Sequence, residues 1–481
     1  MYQSIPAMER YILTTQQKAL KINLNQSIYG TFAEIGAGQE VVRHFFRAGG
    51  ASGTVAKAMS AYDKDFSDAI YGREPDGRYV TESRLRKMLA QEYRLVEERI
   101  DRSKNPNKCF FTYANTVATI DFAKRYKGHG WMGCKFQLTP DSPPNEVIFH
   151  VRLKENEAVL QQETIGVMGV NLIYACFHII NDPNELLKSL YDNLSRDKVE
   201  IDMINVSGPD FEGVDNRLLS LQLIKNGFTD AVIFGPDGNN LLPAGLLYKK
   251  NILALRGSFR PVTKVNMDMM TKGYQYFIRD PRVKKDNVEV LFEITLNNLR
   301  AEGEIDEQDF LDRAEILCSL GYKVLISNFQ EYYKLVHYFA EFTKARLGII
   351  LGVSSLKDIF NEKYYRTLPG GILEAMGIMF SRDIKIYVYP SKPTDESPLE
   401  TSKNMWVHPR LRPLFDYLTF NGRIKDIETY DPSILHIFSP RVLRMIKKGE
   451  SGWEHMLPEG VENIIKSKKL FGYEPHKEVA T

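Results

Sequence analysis

Between residues 288 and 390 the chain alternates between short apolar runs and longer amphipathic segments. The apolar runs are VEVLFEIT (288–295), YKVLISN (322–328), LGIILGV (347–353) and IKIYVYP (384–390). Because each run is largely apolar, without a strict polar residue at every second position, we expect strands that are covered on both faces. The segments between them have the length and the apolar spacing of helices. This alternation predicts a parallel sheet with helices on both sides.

The part of the chain before this run predicts a different architecture. Residues 81–102 are charged and amphipathic, as in a surface helix, and the glycine-rich stretch 34–63 also favours helices. From Cys109 onward, short runs rich in β-branched and aromatic residues predict strands. We therefore expect an α/β protein in which a mixed α+β N-terminal domain is followed by a Rossmann-like parallel α/β domain. The predicted segments are a helical N-terminal region (1–105), an α/β domain (106–280), the Rossmann-like domain (281–395) and a C-terminal helical extension (396–481).

The charge balance narrows the classes of partner. The 481 residues include 63 Lys and Arg against 61 Asp and Glu, which gives a formal net charge of +2. A chain so close to neutrality has no global attraction to nucleic acids or to anionic membranes, so we expect neither as a partner. A small anionic ligand that binds a local cluster of basic residues fits this balance, and a homo-oligomer is left open.

Three further features concern the compartment. The chain has four widely separated cysteines without metal-ligand spacing: Cys109, Cys134, Cys176 and Cys318. This usage is typical of thiols in a reducing cytoplasm, and no signal-peptide pattern is found, so we expect a cytoplasmic protein. The stretch 164–181 contains no Asp, Glu, Lys or Arg and touches the lower length limit of a membrane span. We interpret it as a buried core element, with a membrane span as the alternative.

The first candidate site is the glycine-rich loop 47–57. Its glycines permit tight turns and a close approach of the backbone to a ligand, and we expect a helix to begin near Thr54 and Lys57, with its free amides directed at an anion. The predicted phosphate-binding residues of this loop are Gly49, Gly50, Gly53, Thr54 and Lys57. The loop lacks the spacing of a P-loop, and a plain helix–turn–helix is the alternative interpretation.

Two more segments have the residue types of an anion site. The stretch 249–264 is basic, and its guanidinium groups suit a phosphate or a carboxylate, with a solvated basic loop as the alternative. Its candidate phosphate-binding residues are Lys250, Arg256 and Arg260. Gly370 and Gly371 precede a predicted helix whose N-terminal amides suit an anion, and a simple helix entry after a proline turn explains the pattern equally well.

Candidate catalytic residues come from two regions of the chain. Glu293 and Ser327 lie near the ends of two predicted strands, and ligands of parallel sheets bind beyond such ends. This layout resembles the haloacid-dehalogenase-like Rossmannoid phosphotransferases, in which one strand ends in a nucleophilic Asp and a later strand ends in Ser or Thr. Glu293 stands at the position of that nucleophile, and no clear acidic metal-binding motif follows it. His129 is a third candidate, as a general base that titrates near neutrality, with a structural histidine as the alternative.

Several stretches resemble a bacterial protein family of about this length. They include INLNQSIYGTFAEIGAGQEVVRHFFRAGG, VDNRLLSLQLIKNGFTDAVIFGPDG and LYKKNILALRGSFRPVT. Members of that family are often labelled nicotinate-nucleotide adenylyltransferase. The resemblance implies transfer of AMP from ATP to a mononucleotide, with Mg²⁺ and release of pyrophosphate. Of the segments typical of that enzyme class, GTFAEIGAGQE shares the Gly-x-Phe opening, while the histidine pair and the ISTxR-like segment are absent from the sequence.

These features lead to two hypotheses. The first is a cytosolic enzyme that acts on a nucleotide or another phosphorylated metabolite, with nucleotidyl transfer as one form of the reaction and Mg²⁺ as a cofactor if the substrate is a nucleotide. Such a site works through positioning and charge stabilisation. The second is a catalytically silent Rossmannoid protein that senses a ligand or acts as a scaffold, which the Glu at position 293 favours.

Overall fold

The chain divides between Thr229 and Asp230 into an N-terminal unit and a C-terminal unit, each built around its own sheet. The computed structural model describes residues 10–37, 39–124, 126–301, 304–392 and 396–474.

The N-terminal unit is a mixed sheet with helices. Its strands are β1 (Ile28–Gly36), β2 (Val55–Met59), β3 (Cys109–Ala118), β4 (His129–Phe136), β5 (Asn145–Leu153) and β6 (Val199–Ser207). Its helices are α1 (Thr15–Asn23), α2 (Glu40–Ala48), α3 (Lys64–Tyr71), α4 (Glu82–Arg99), α5 (Ala158–His178), α6 (Pro183–Ser189) and α7 (Asn216–Lys225). The strand order is β2-β1-β3-β4-β5-β6, in which β1 is parallel to both of its neighbours and the other pairs are antiparallel. The predicted mixed α+β character of this part of the chain is confirmed.

Strand β1 lies inside this sheet, within the segment 1–105 that the sequence predicted to be helical. Nearly all of its residues are buried. Gly30 is required on β1 because a Cβ there would lie 2.1 Å from the backbone oxygen of Phe111 on β3. The glycine therefore marks a close approach of two strands, and the segment 1–105 contains β1 and β2 as well as helices.

Helix α5 contains most of the uncharged stretch 164–181. Almost every residue from Thr164 to Cys176 is buried. The glycines of α5 let α2 approach closely, since a Cβ on Gly169 would lie 2.3 Å from Cγ2 of Val41. The stretch is thus a core helix, as the first interpretation predicted. Among the helices of the described residues, none is both long enough and apolar enough to cross a membrane.

The C-terminal unit contains an eight-stranded sheet and a separate two-stranded one. The strands are β7 (Ala231–Phe234), β8 (Asn240–Leu241), β9 (Asn251–Arg256), β10 (Val288–Thr295), β11 (Arg300–Ala301), β12 (Glu304–Ile305), β13 (Lys323–Ser327), β14 (Leu347–Gly352), β15 (Ile384–Tyr389) and β16 (Ile424–Asp426). The helices are α8 (Pro243–Leu247), α9 (Lys264–Phe277), α10 (Leu296–Leu299), α11 (Glu307–Ser319), α12 (Tyr332–Phe342), α13 (Val353–Ile359), α14 (Gly371–Phe380), α15 (Arg412–Phe420), α16 (Ser439–Lys448) and α17 (Val461–Lys468).

The large sheet has the order β16-β15-β14-β9-β10-β13-β7-β8. The six strands from β16 to β13 in this order are parallel to one another, and β7 and β8 add an antiparallel edge. Counted along the chain, the parallel strands follow the order 3-2-1-4-5-6 of a doubly wound Rossmann fold. The predicted Rossmann-like parallel α/β architecture is confirmed.

The division into two units differs from the four segments that the sequence predicted. Strand β9 lies before residue 280, yet it pairs with both β10 and β14 and is the first strand of the parallel sheet. Strand β16 lies beyond residue 395 and pairs with β15. Composition does not reveal such pairings, because they join segments of the chain that differ in residue usage.

Candidate functional site

A crevice opens at the carboxyl ends of the parallel strands in the C-terminal unit. The strand order reverses between β9 and β14, which is where doubly wound folds leave a gap that binds ligands. The cavity measures ≈ 430 Å³ and is lined by residues that follow β9, β10, β13 and β14. Its size lies within the range of small-molecule sites, about 300–1,000 Å³.

Arg256 is the last residue of β9 and lines the crevice as a nearly buried cation. Its Nε and Nη2 donate to the two carboxylate oxygens of Glu293, each at 2.8 Å, and its Nη1 donates to the backbone oxygen of Gln330 at 3.0 Å. The Arg256 side chain is 7% exposed and Glu293 is fully buried. The guanidinium also lies over the Tyr332 ring, 4.2 Å from its centroid. These contacts hold the guanidinium in one orientation.

The register of three neighbouring strands assembles this cluster. Arg256 and Glu293 are direct partners in the parallel pairing of β9 with β10. Strand β13 adds Ser327, whose hydroxyl donates to Oε1 of Glu293 at 2.6 Å. Three residues that the sequence singled out separately, Arg256, Glu293 and Ser327, therefore lie in one hydrogen-bonded group.

The electrostatics of this group keep the Arg256 guanidinium charged. Burial acts to lower the pKa of Arg256, but the adjacent Glu293 carboxylate outweighs it and the pKa is raised, so the guanidinium stays charged. Glu293 is engaged through both oxygens and is a counter-ion, not an exposed nucleophile. Among the described residues, three of the five N–H groups of Arg256 find acceptors, which leaves two for a ligand.

Polar and aromatic residues complete the lining of the crevice. Asn297 and Asn298 follow β10, and the side-chain amide of Asn298 donates to the backbone oxygen of Gly257 at 3.3 Å. Asp358 and Tyr364 follow β14, and the Tyr364 hydroxyl donates to Oδ1 of Asp358 at 3.3 Å. The crevice thus combines a buried cation with amides, the two carboxylates Glu331 and Asp358, and a partly exposed ring.

The other two basic candidates of the stretch 249–264 lie elsewhere. Arg260 forms an ion pair with Asp309. Lys250 precedes β9 and therefore lies at the opposite end of the strand from Arg256, about 20 Å away over six residues, where its ammonium is 3.8 Å from Glu289. Of the three, the structure brings Arg256 alone into the lining of the crevice.

The glycine-rich loop 47–57 leads into a strand. Gly49 and Gly50 have φ values of 85° and 72°, which glycine adopts without strain. A short 3₁₀ turn that ends at Gly53 follows, and β2 begins directly after Thr54. The predicted helix at this position is therefore wrong, and the loop offers no helix N-terminus to an anion.

Two polar residues of this loop have structural partners. The Thr54 hydroxyl is buried and donates to the backbone oxygen of Asn23 at 3.2 Å. Lys57 forms an ion pair with the fully buried Glu92, which also accepts from the Tyr71 hydroxyl at 2.8 Å. Their role in phosphate binding stays a prediction.

Gly371 is the first residue of α14 and Gly370 immediately precedes it, where the sequence predicted the start of a helix. The backbone N–H of Gly370 donates to Oε2 of Glu374 at 2.8 Å, and Gly371 has φ 56°. The helix thus supplies a carboxylate of its own at the position predicted for an external anion.

His129 belongs to the N-terminal unit and is part of a chain of three side chains. Its Nδ1 faces Nε2 of His150 at 3.2 Å, and Nδ1 of His150 lies 2.6 Å from Oδ1 of Asp202. Burial, together with the neighbouring His150, lowers the pKa of His129 to about 4. His129 is therefore neutral at pH 7, the state that a general base requires.

Other features bear on metal binding. All four cysteines are buried and lie outside disulfide bonds. Within the described ranges, no group of three or more His, Cys, Asp or Glu side chains is arranged to hold a metal ion.

Several residues of these two groups were not predicted from the sequence. Tyr332, Asp358 and Tyr364 lie in connections that follow strand ends, and an aromatic or acidic residue soon after such an end is a signal that could have found them. Asp202 lies inside the apolar run VEIDMINV of β6. An acid at a buried strand position needs a partner, and that is the signal for the His150 contact.

Comparisons with known proteins leave the family open. No protein-family model and no curated protein match the chain. Similar solved structures include the competence/damage inducible protein CihA from Agrobacterium tumefaciens, at 14% identity over 38% of this chain and 99% of that chain, with a TM-score of 0.24. A CinA superfamily protein from Enterobacter cloacae is 12% identical over 40% of this chain and 99% of that chain, with a TM-score of 0.23. Such low scores carry no argument about function, and the resemblance to the adenylyltransferase-labelled family stays a prediction.

Proposed function

We propose that the C-terminal unit binds a small anionic metabolite, a nucleotide or another phosphorylated compound, in the crevice between β9 and β14. The observation that carries this proposal is the position of Arg256, a nearly buried guanidinium at the reversal of the strand order with N–H groups left for a ligand. Planar guanidinium donors fixed in one orientation suit phosphate oxygens.

The remaining lining favours a ligand that has more than an anionic group. The Asp358 carboxylate can accept from hydroxyl or amino groups, the Asn297 amide can both donate and accept, and the Tyr364 ring offers a stacking surface. Nucleotides and sugar phosphates combine a phosphate, hydroxyl groups and a ring. This chemistry supports a nucleotide or a sugar phosphate over a simple inorganic anion.

The form of activity that we propose is nucleotidyl transfer, with Mg²⁺ bound through the phosphates of the nucleotide. Arg256 would hold a phosphoryl group in place and stabilise the negative charge that develops on it. The resemblance of the sequence to the adenylyltransferase-labelled family supports this form of activity.

A catalytically silent, ligand-sensing protein is the second candidate. One observation favours it: Glu293, which stands where haloacid-dehalogenase-like enzymes carry their nucleophile, is fully buried and bound by Arg256 and Ser327. A carboxylate held in this way supports ligand binding without covalent catalysis.

Isothermal titration of the full chain with ATP, nicotinate mononucleotide and glucose 6-phosphate tests the proposal. Removal of Arg256 alone would leave Glu293 buried and unpaired, at a cost of about 3–5 kcal/mol of stability. We therefore pair Arg256→Gln with Glu293→Gln, which replaces the ion pair with two neutral amides. The expected result is saturable binding by the wild type and a loss of about 10- to 100-fold in the double variant, because charge-assisted hydrogen bonds contribute about 1.5–3 kcal/mol.

A matched pair of tyrosine variants locates the ligand. Tyr364→Ala removes a ring from the crevice, whereas Tyr248→Ala removes an exposed ring of the same unit that lies outside the lining. Weaker binding is expected in the first variant alone. Equal affinity in the wild type and the Arg256→Gln/Glu293→Gln variant overturns the proposal. Release of pyrophosphate from ATP and a mononucleotide separates the enzyme from the silent protein.

A further inference from the structure

A second cavity lies at the other end of the large sheet, where β14, β15 and β16 begin. It measures ≈ 350 Å³, again within the range of small-molecule sites of about 300–1,000 Å³. Arg346, Asp383 and Arg423 immediately precede these three strands and line the cavity. Because β14 has six residues, this end of the sheet is about 20 Å from the crevice.

Basic side chains dominate this cavity. Its four basic lining residues are Arg282, Arg346, Lys385 and Arg423. Two carboxylates face them: Asp383 in the lining, and the buried Asp280 behind it. Four positive charges against two negative charges leave an excess of +2, and like charges held at short range repel one another. The cavity therefore gains from a bound ligand with two negative charges.

The two carboxylates are shared among these cations. Asp280 forms ion pairs with Arg346, with Lys385 at 2.9 Å and with Arg282 at 3.4 Å. Asp383 contacts Arg346 and forms an ion pair with Arg282 at 2.8 Å. Arg346 is 1% exposed, and burial lowers its pKa against the opposing effect of Asp280. An additional anion would stabilise a guanidinium that is cut off from water.

Arg423 is the least satisfied of these cations. Its Nη1 is 3.5 Å from Oδ1 of Asp383 and 3.4 Å from the backbone oxygens of Arg382 and Ile384. Ordinary N–H···O distances are about 2.7–3.2 Å, so each of these contacts is weak. The N–H groups of the Arg423 guanidinium can therefore form shorter hydrogen bonds with an oxygen of a bound ligand. Arg282 is 59% exposed and can turn toward the same ligand.

Part of the cavity lining is apolar. Phe380, Tyr417 and Leu418 form this part, and the Tyr417 ring is largely exposed. An exposed ring beside a cluster of cations is suited to a ligand that joins an anionic group to a flat ring.

We propose that this cavity binds a small molecule with a dianionic phosphate group, held by Arg282, Lys385 and Arg423, and with a ring that lies against Tyr417. Two negative charges would cancel the excess of +2. The site is separate from the crevice, and this inference does not rest on the proposed function.

Isothermal titration of the full chain at low salt with pyrophosphate, inorganic phosphate and AMP tests the site. Arg423→Gln and Arg282→Gln each remove one partly exposed cation, and thermal unfolding confirms that both variants fold. Arg412→Gln is the matched control, since Arg412 is a partly exposed arginine of α15 that pairs with Asp416 and lies outside the lining. We expect about 10-fold weaker binding in each of the two test variants and unchanged binding in the control.

Two further measurements separate the parts of the proposal. Tyr417→Ala is expected to weaken binding of AMP but not of pyrophosphate, while Tyr248→Ala changes neither. The Arg256→Gln/Glu293→Gln variant is expected to keep this binding, so a failure of the crevice and a failure of this cavity are distinguishable. Absence of saturable binding at millimolar ligand overturns the inference, as does binding that Arg423→Gln and Arg282→Gln leave unchanged.

Discussion

The backbone N–H of Val42, in the first turn of α2, donates to Oε1 of Glu34 at 2.9 Å. The neighbouring amide of Val41 donates to the other carboxylate oxygen at 3.2 Å, and Glu34 is 2% exposed. Burial outweighs these bonds and raises the pKa of Glu34 to about 7. The charge state of this carboxyl group therefore changes close to neutral pH.

This pKa predicts a dependence of stability on pH. The ordinary pKa of 4.5 applies to the unfolded chain, so between pH 4.5 and 7 the folded state binds more protons. The stabilisation from Glu34 is complete below pH 4.5 and is lost as the pH rises through 7. Relative to Glu34→Gln, we expect the wild type to lose up to about 3 kcal/mol of unfolding free energy between pH 5 and 8. Urea unfolding across this range measures the difference, and identical slopes in both proteins contradict the prediction.

For His129 we expect the opposite dependence of stability on pH. Its pKa of about 4 in the folded state lies below the ordinary 6.5, so its contribution to stability is present above pH 6.5 and is lost as the pH falls toward 4. An NMR titration of the histidine ring protons should place its midpoint near 4, and a midpoint at or above 6.5 refutes it. Asp202→Asn removes a carboxylate that raises this pKa, so the midpoint should move lower still.

We expect substitution of Ser327 to lower the stability of the protein while leaving its ligand affinity nearly unchanged. Ser327→Ala removes the hydrogen bond to Glu293, and we expect a cost of about 1–2 kcal/mol in unfolding free energy. Because Ser327 is not part of the crevice lining, its affinity for a ligand should change less than about threefold. Ser258→Ala, in the lining, should show the reverse pattern. Complete loss of activity in Ser327→Ala at unchanged affinity would support the predicted catalytic role of Ser327.

We expect alanine substitutions at two glycines to reduce stability by very different amounts. A methyl group at Gly30 would lie 2.1 Å from the backbone oxygen of Phe111, whereas one at Gly53 meets no atom within 4 Å. We expect Gly30→Ala to cost at least about 3 kcal/mol, because a backbone atom cannot move aside, and Gly53→Ala to stay within about 0.5 kcal/mol. Thermal unfolding compares the two variants. Similar midpoints would show that β1 and β3 are not packed at this distance.

Lys57 tests the structural role of the glycine-rich loop. Lys57→Met leaves the buried Glu92 without its cation, and we expect a loss of about 2–4 kcal/mol in stability with no change in ligand affinity. The double variant Lys57→Met/Glu92→Gln should recover most of that loss. If Lys57→Met instead weakens ligand binding and leaves stability intact, the predicted phosphate-binding role of this residue is supported.

The parallel strands were the most predictable part of the fold. The run VEVLFEIT matches β10 residue for residue, and IKIYVYP contains β15. Strands buried on both faces produce such continuous runs. Strand β1 was not predicted, because Gly30 and Gly36 interrupt its apolar pattern. Those glycines reflect the close approach of β3, which is a tertiary contact.

The residues of the crevice were predictable one by one but not as a group. Arg256, Glu293 and Ser327 each stand near a strand end in the sequence. Their hydrogen bonds depend on which strands are neighbours, and β9 pairs with β10 and β14 across long stretches of chain. Lys250 was predicted for the same site as Arg256, six positions later. It lies instead at the opposite end of β9, away from this cluster.

The large sheet finishes on both sides in very short strands: β8 has two residues and β16 has three. An outer strand of this length exposes few unpaired N–H and C=O groups. A second chain that tried to extend the sheet would gain only a few backbone hydrogen bonds. We therefore expect any self-association of this unit to use helical surfaces, and its margins to resist the strand-by-strand growth that leads to fibres.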